Sequence, residues 1–550
     1  MVDALVPFAL FPGAGQFFLD YTAGRDRAIQ LFDYNPHQEA ALTARLDDLQ
    51  AGAANGEIGR AELAAAVVRQ QECWRAGGAA LDAAAALGEP GTYAVATGQQ
   101  IGLFGGPLYT VLKAVCAVNW ARRLELIYPE HRFVPVFWMG TSDSDFEEVR
   151  HCWLPDAAGV PRAVSLPIQP ADREGIPVGQ LDVRSQLDEA LAGLDQAVPP
   201  GLWHDEIVGA LGSAYREGGL TEGFARWMAQ LFHDSELVIL DAQDPLLMRA
   251  ARPLIRRELA TAAETEELLN GRNAELIAAG YSPQVDQLPG DTGLFVVNDA
   301  GQREKLARDD TGFYLRQSGR RMEPAELEAL CDKTPERFIT GVALRPIYQN
   351  TLFPVAVFVG GAAELAYRAQ LVPLFHHHGQ KMAPAYMRSA ATLLPAKSAQ
   401  LLDELGLGLP DVMVPPQDLL GLAVSQELPP EVAQALAAYR ETIGGADAEL
   451  REVACELDAG LEQTFATLRG NLDRHLDKLE KKIVSALKRR HEGLAQRITR
   501  LSNLVWPRQT AQERVLSASS FLAIAGFDLI PRLMEELTVP MWAHRTFILE

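Results

Sequence analysis

The sequence predicts an α/β core broken by insertions and followed by a helical coiled coil, and three observations predict it. Between residues 91 and 428, short apolar runs that end in glycine-rich or acidic loops alternate with helical stretches, the pattern of a parallel sheet covered by helices. Two of those loops, Thr97 to Gly106 and Thr141 to Glu148, each follow an apolar run directly, so a parallel pairing puts both at one sheet edge. From Leu450 to Leu487 apolar residues recur almost always at steps of three or four, the spacing of a coiled coil.

Taken in order, residues 1–90 are Ala-rich with helical spacing and stop at Gly88-Glu89-Pro90, which predicts an N-terminal helical layer. Residues 91–154 form the first part of the core: a strand at Tyr93 to Ala96, the glycine loop, a helix from Pro107 to about Leu126, and a strand at Phe133 to Met139 running into the acidic loop. Residues 155–235, first Pro/Gly-interrupted and then helical, read as a connecting insertion. Residues 236–428 read as the remainder of the core with a further insertion. They hold a strand at Leu237 to Leu240, helix over 245–280, short strands at Leu294 to Val297 and Gly312 to Leu315, and a core strand at Val355 to Val359 that ends in Gly360-Gly361. Residues 429–510 are the coiled coil, with no proline between Pro430 and Pro507, and 511–550 read as a helical segment packing back on the core. Unbroken, 450–505 would be a rod of roughly 84 Å, which must pair with another helix in cis or in trans. Gly444-Gly445 and Gly470 are its candidate bends.

Composition narrows the class of function. With 48% hydrophobic and 22% charged residues the chain can bury a large core. A net charge of -22 repels polyanions, so no nucleic-acid partner is expected. The nine Lys or Arg against four acids from Asn471 to Arg500 lack interleaved aromatics and read as a solvated helix face. Five scattered cysteines without a C-x-x-C pair predict neither disulfides nor a metal site, and suit a reducing cytosol. The first residues lack a basic, then apolar, leader, and no run of ~18 apolar residues occurs, so a soluble cytoplasmic protein with no membrane partner is expected.

Three constellations can carry chemistry. The loop containing Gly98, Gln99, Gln100, Gly102, Gly105 and Gly106 is either an anion- or substrate-binding loop or a tight structural crossing, and Lys113 in the following helix either adds a cation or is a solvated residue. In the second loop, Asp143 and Asp145 either cap a helix or face the ligand crevice as hydrogen-bond acceptors, a general base or hard-cation ligands. After the Gly360-Gly361 turn, Glu364, Tyr367 and Gln370 share a helical face, flanked in sequence by Arg345 and Arg388. His376-His377-His378 suits a helix C-terminus rather than a metal, and Cys152 reads as a small buried hydrophobe.

Several runs resemble a known family. Thr97-Gly98-Gln99-Gln100-x-Gly102-Leu103-Phe104-x-Gly106-Pro107-Leu108-Tyr109-Thr110, Pro135-Val136-Phe137-Trp138, Asp145-Phe146 and His151 look like the bacillithiol synthase family, the cysteine-adding ligase of bacillithiol biosynthesis. Leu344-Arg345-Pro346-x-x-Gln349, Phe358-Val359-Gly360-Gly361-x-x-Glu364-x-Ala366-Tyr367 and Arg388 are similar too. The resemblance runs from about residue 15 to the end. It implies a Rossmann-like, nucleotidyl-transferase-type core with connecting insertions, and a coiled-coil domain used for homodimerisation. The implied reaction is amide ligation, joining the carboxyl of cysteine to the amine of glucosaminyl-malate.

Carried over residue by residue, the resemblance implies Asp143, Asp145 and His151 as catalytic. It implies Gly98, Gln99, Gln100, Gly102, Gly105, Gly106, Tyr109, Lys113, Arg345, Gln349, Gly360, Gly361, Glu364, Tyr367 and Arg388 as substrate-binding. The cofactor stays open: ATP or another nucleotide is compatible with the family, and neither a His-x-Gly-His nor a Lys-Met-Ser-Lys-Ser-like signature is present to fix it. The chain departs from the family's usual Gly-Glu-Asp-His-Asp run, carrying Ser142 and Ser144 for the glutamate and histidine. It also has Gly341 and Asn350 where asparagine and an acidic residue are usual. These departures keep open a divergent homologue with another small anionic substrate or a non-catalytic binding role.

Overall fold

The computed structural model describes residues 5–52, 57–169, 173–420, 430–490 and 492–549. The chain divides into two compact units. Among the described residues, one contains 5–156, 161–395 and 510–549; the other contains 157–160 and 396–509.

The first unit is built on a five-stranded parallel sheet. Its elements are β1 (Thr92–Gln99), α1 (Tyr109–Ile127), β2 (Arg132–Met139), β3 (Val238–Leu240), α2 (Arg345–Leu352), β4 (Val355–Gly360), α3 (Ala362–His377) and β5 (Ala385–Met387). The strand order is β5-β4-β1-β2-β3, with every neighbouring pair parallel. Alternate residues serve opposite faces, as strand geometry requires. Ala94, Ala96, Val134 and Val136 join one core, while Tyr93, Val95, Phe133 and Val357 pack with Cys116 and Trp120 of α1 in another. Burial on both faces is why these strands read as continuous apolar runs rather than alternating ones.

β1 is longer than its apolar run. Thr97, Gly98 and Gln99 pair with Phe137, Trp138 and Met139, so the start of the glycine loop is strand. Gly98 permits this, because a Cβ there would lie 2.6 Å from the Trp138 carbonyl oxygen. Helix α1 begins two residues after Pro107, which instead bridges to Ser517.

A second, antiparallel sheet lies between β3 and β4 in the chain, with strand order Arg321–Met322, Gly312–Leu315, Arg303–Asp309, Asp291–Val297, Phe338–Thr340. Two of its five strands are expected from sequence; Arg303–Asp309 is too charged to show as an apolar run. A hairpin, His151–Pro155 with Pro161–Ser165, straddles the expected start of the connecting insertion at residue 155, and helices Arg184–Ala197 and His204–Leu231 follow within it. The C-terminal segment is not helical throughout: its end, His544–Leu549, is a strand parallel to Ala391–Pro395.

In the second unit the apolar repeat forms helices α4 (Pro430–Leu457), α5 (Glu462–Arg490) and α6 (Glu492–Val505) rather than one rod. The break is at Asp458–Leu461, where the Asp458 carboxylate accepts from the Gly460 amide at 2.8 Å, and not at Gly444-Gly445 or Gly470. α4 and α5 fold back on each other: Arg451 Nε donates to Glu462 at 3.0 Å, and Arg440 reaches Asp477 at 3.0 Å and Glu480 at 2.8 Å. The repeat is therefore paired in cis. The expected seam residue Leu487 and the expected start at Pro429 lie outside the residues whose side chains are described. So do Lys488, Arg489, Arg490 and Glu492 of the basic stretch.

Candidate functional site

The strand order places a topological switch point between β1 and β4. The chain runs from β1 outward through β2 to β3 on one side, and from β4 to β5 on the other. Helices then leave the adjacent C-terminal strand ends toward opposite sides, and a crevice opens between them. A cavity of about 270 Å³ lies there, lined by Gly98, Gln99, Gln100, Tyr109, Lys113, Asp143, Arg345, Gln349, Gly361, Glu364, Tyr367 and Arg388. Residues from the glycine loop, the acidic loop, the Arg-Pro helix and the Gly-Gly turn, together with Arg388, up to 290 positions apart in sequence, thus meet at one place.

Lys113 forms the floor. It is buried, and its ammonium is satisfied three ways: Glu364 Oε2 at 2.5 Å, the Gly98 carbonyl at 2.8 Å and Gln99 Oε1 at 2.9 Å. Burial lowers its pKa, and Glu364 opposes the shift. The same Glu364 oxygen accepts from the Gly361 amide at 2.8 Å, which fixes the Gly-Gly turn on the first turn of α3. Gln99 completes the layer by donating to the Tyr109 hydroxyl at 3.1 Å, and burial pushes that phenol up to about 12.

Arg388 already has partners within the protein. It makes a 2.5 Å ion pair with Glu513, donates to the Ser389 carbonyl at 2.8 Å, and lies 5.5 Å from the centroid of the Tyr109 ring. Burial raises the Glu513 carboxyl, but Arg388 outweighs it and holds the group below its ordinary value. Arg368, one residue after Tyr367, stacks 3.2 Å from the Phe358 centroid and donates to Gln349 at 3.3 Å; burial lowers it to about 10. Arg345 differs from both. Among the described residues its guanidinium has no hydrogen bond or ion pair.

The acidic loop divides its two aspartates. Asp143 faces the crevice, accepting from Gln100 Nε2 at 2.7 Å and from the Ser144 amide at 2.7 Å, with Arg303 at 3.5 Å. Burial would raise it, yet Arg303, the Gln100 bond and Arg345 keep it below the ordinary carboxylate value. Asp145 is exposed and caps the short helix Phe146–Val149, accepting from the Glu148 amide at 3.0 Å. Glu148 at the rim is pushed up by burial and by Asp145 and Asp143. His151 is not among the lining residues: its ring nitrogens meet Glu147 at 2.8 Å and Ser165 at 2.6 Å.

The glycines also divide. Gly102, Gly105 and Gly106 do not line the crevice. Their amides bond to the Gln100 carbonyl, to Gly102 and the Tyr215 hydroxyl, and to the Leu103 carbonyl. A Cβ on Gly105 would come within 2.8 Å of the Trp227 ring, and its φ of +89° suits glycine alone. This stretch is a tight crossing. Gly360 likewise packs on Phe358, whereas Gly361 is open toward the crevice.

Sequence reasoning missed Arg368, Glu148, Arg303, Glu513 and Arg514. For Arg368 the signal existed, since it lies four residues after Glu364 on the same helix. For Glu513 and Arg514, more than 120 residues from Arg388, no local pattern could have told. Cys152 is buried, as expected of a small hydrophobe, and among the described residues no cluster of three or more His, Cys, Asp or Glu could hold a metal ion. No described helix is long and apolar enough to cross a membrane.

Comparison with known proteins agrees with this architecture. The family described as bacillithiol biosynthesis BshC, N-terminal Rossmann-like domain, matches residues 10–389, and the BshC C-terminal coiled-coil domain matches 391–549. A protein of Koribacter versatilis named "Putative cysteine ligase BshC" is 33% identical over 447 residues, covering 81% of this chain and 82% of its own. Proteins of the same name from Prosthecochloris aestuarii and Salinibacter ruber are each 29% identical, covering 97% and 96% of this chain and 96% and 95% of theirs. The two matches together span both units of the fold, and this chain belongs to the BshC family.

Proposed function

We propose that this chain is an amide-forming ligase that joins the carboxyl of cysteine to the amine of glucosaminyl-malate, giving bacillithiol, a C–N bond forming as one carboxyl C–O bond breaks and the oxygen leaves as water or, where ATP activates the acid, on the nucleotide's phosphorus. The observation that carries the reading is the contrast among the crevice cations: Lys113 and Arg388 are neutralised by Glu364 and Glu513, while Arg345 is left to pair with a ligand. An arginine fork grips a carboxylate bidentately, and both proposed substrates carry one. The names of the relatives, cysteine ligases, support the same choice.

In this reading Asp143, held ionised, accepts hydrogen bonds from the acceptor amine and orients it. A carboxyl held low is a poor proton acceptor at neutral pH. Glu148, whose affinity for a proton is raised, is the better matched group to take the amine's proton. The Tyr109 hydroxyl, which accepts from Gln99, keeps its own hydrogen as a donor for negative charge growing on the carboxyl oxygens. Position 144 contributes its backbone amide to Asp143, which serine supplies as well as histidine would. A nucleotide would not be held by the amides of Gly102, Gly105 and Gly106, which are already used. The setting is taken to be the cytoplasm, and the working form a homodimer through the coiled-coil domain.

The test is product formation from cysteine and glucosaminyl-malate, with and without ATP, followed by mass spectrometry in wild type and Glu148→Gln. Wild type should form bacillithiol, and the variant should be slower by about 10²-fold or more. A folded chain that accepts a different amine, or none, would support the divergent-homologue reading that Ser142 and Ser144 suggest.

A further inference from the structure

Beside the crevice lies a second cavity, of about 230 Å³, that shares Asp143 and Arg345 with it. Its far wall is the antiparallel insert sheet. Lys305 pairs opposite Phe295, and Arg303 is two residues away, so all three fall on one face of that sheet. Both cations sit over the Phe295 ring, Arg303 Cζ at 4.2 Å and Lys305 Nζ at 4.4 Å from its centroid. Gly293, next on that face, adds no side chain, and Gly341 adds none from the loop before α2. Room for a ligand remains beside the two cations.

The charges in this cavity are not balanced from within. Arg303 is 3.5 Å from Asp143 and donates to the Ser142 carbonyl at 2.7 Å. Lys305 and Arg345, however, make no side-chain hydrogen bond or ion pair among the described residues. Asp286 at the rim is exposed to water. Gln287 contributes an amide oxygen that is buried in the wall with no donor. Two partly buried cations and one orphan acceptor call for a ligand with two negative charges and a hydroxyl or N–H donor.

We propose that this cavity is the acceptor's dicarboxylate subsite, in which Arg345 of the core and Lys305 of the insert sheet each take one carboxylate of a malyl-type group. The Phe295 ring holds Lys305 in place, Arg303 adds to the positive potential, and Gln287 accepts from the ligand's polar hydrogen. The inference rests on the ligase reading for the identity of the acceptor, and through it the insert sheet selects a diacid conjugate over a neutral amino sugar. Asp143, shared by both cavities, then stands where the acceptor's amine would meet the cysteine carboxyl.

The probe is L-malate titrated into the full-length chain by calorimetry, with butyrate as the one-carboxylate control. Wild type should bind malate at least about tenfold more tightly than butyrate. Lys305→Met, which keeps the apolar stem, should weaken malate at least about tenfold, and Lys305→Arg should largely restore it. In the ligation assay Lys305→Met should raise KM for glucosaminyl-malate by a similar factor, leaving KM for cysteine and kcat within about threefold. Unchanged malate affinity in Lys305→Met, or failure of wild type to bind malate, would overturn the subsite. Loss of malate binding in Lys305→Met, with no bacillithiol made by wild type, would keep the subsite and reject the ligase reading.

Discussion

At the residue scale, two ion pairs in one site differ in how deeply both partners are buried. The Arg388 and Glu513 side chains are 4% and 5% exposed, whereas Glu364 opposite Lys113 is 22% exposed. Removing one member of a fully buried pair strands a charge and costs about 3–5 kcal/mol, while a partner that can reach water recovers part of that. Glu513→Ala should therefore destabilise the protein by about 3–5 kcal/mol in urea unfolding, and Glu364→Ala by less. Because the Glu513 carboxyl is depressed in the fold, its contribution is present above the unfolded value of roughly 4.3 and is lost as pH falls. Wild type should thus be more acid-labile than the Glu513→Gln, Arg388→Met double variant.

Lys305 carries the opposite sign. Burial lowers it to about 8, against Asp291 and Glu258, with Arg303 and Arg316 adding to the lowering. Malate needs the charged form, so its affinity should hold below about pH 8 and fall as pH rises past that value. Lys305→Arg should remove the fall, which calorimetry from about pH 7 to about pH 9.5 would check.

At the element scale, the glycine-rich stretch is two elements, and substitutions separate them. Gly105→Ala, at a φ of +89° and against Trp227, should cost about 2–4 kcal/mol of stability. Gly361→Ala has ordinary space, 3.5 Å from Glu364 Oε2 and 3.8 Å from Arg388 Nε. It should unfold within about 1 °C of wild type while placing a methyl in the crevice and weakening ligand binding. Sequence alone could not separate these glycines, because a crossing and a ligand loop both call for glycine. It did reveal β2 and β4, whose two-sided burial writes itself as Phe133 to Met139 and Val355 to Val359. The insert strand Arg303–Asp309 stayed hidden because the cations of its cavity-facing side interrupt the apolar signal. The position of the helical break was hidden too. Gly444 and Gly470 stay helical, while the turn is set by the Asp458 carboxylate on the Gly460 amide, a local bond that composition does not announce.

At the scale of the whole molecule, a chain of net charge -22 concentrates Lys305, Arg303 and Arg345 around one cavity, which favours a small anion there over a polyanion anywhere on the surface. The coiled-coil domain carries the proposed self-association. Leu476 is buried within the described fold, but Leu450, Val453 and Leu457 of α4 are 61%, 62% and 85% exposed. Leu450→Asp with Val453→Asp should give monomers by light scattering without unfolding the hairpin, whereas Leu476→Asp should disrupt the hairpin itself.

The ligase reading stands or falls on mass-spectrometric detection of product when the purified wild-type chain and Ser144→His are given cysteine and glucosaminyl-malate, each with and without ATP. Bacillithiol formed by wild type, at a rate that Ser144→His changes by no more than about threefold, is the expected result, since position 144 acts through its backbone amide. No product from a folded wild-type chain that still binds malate, or product only from Ser144→His, would refute it.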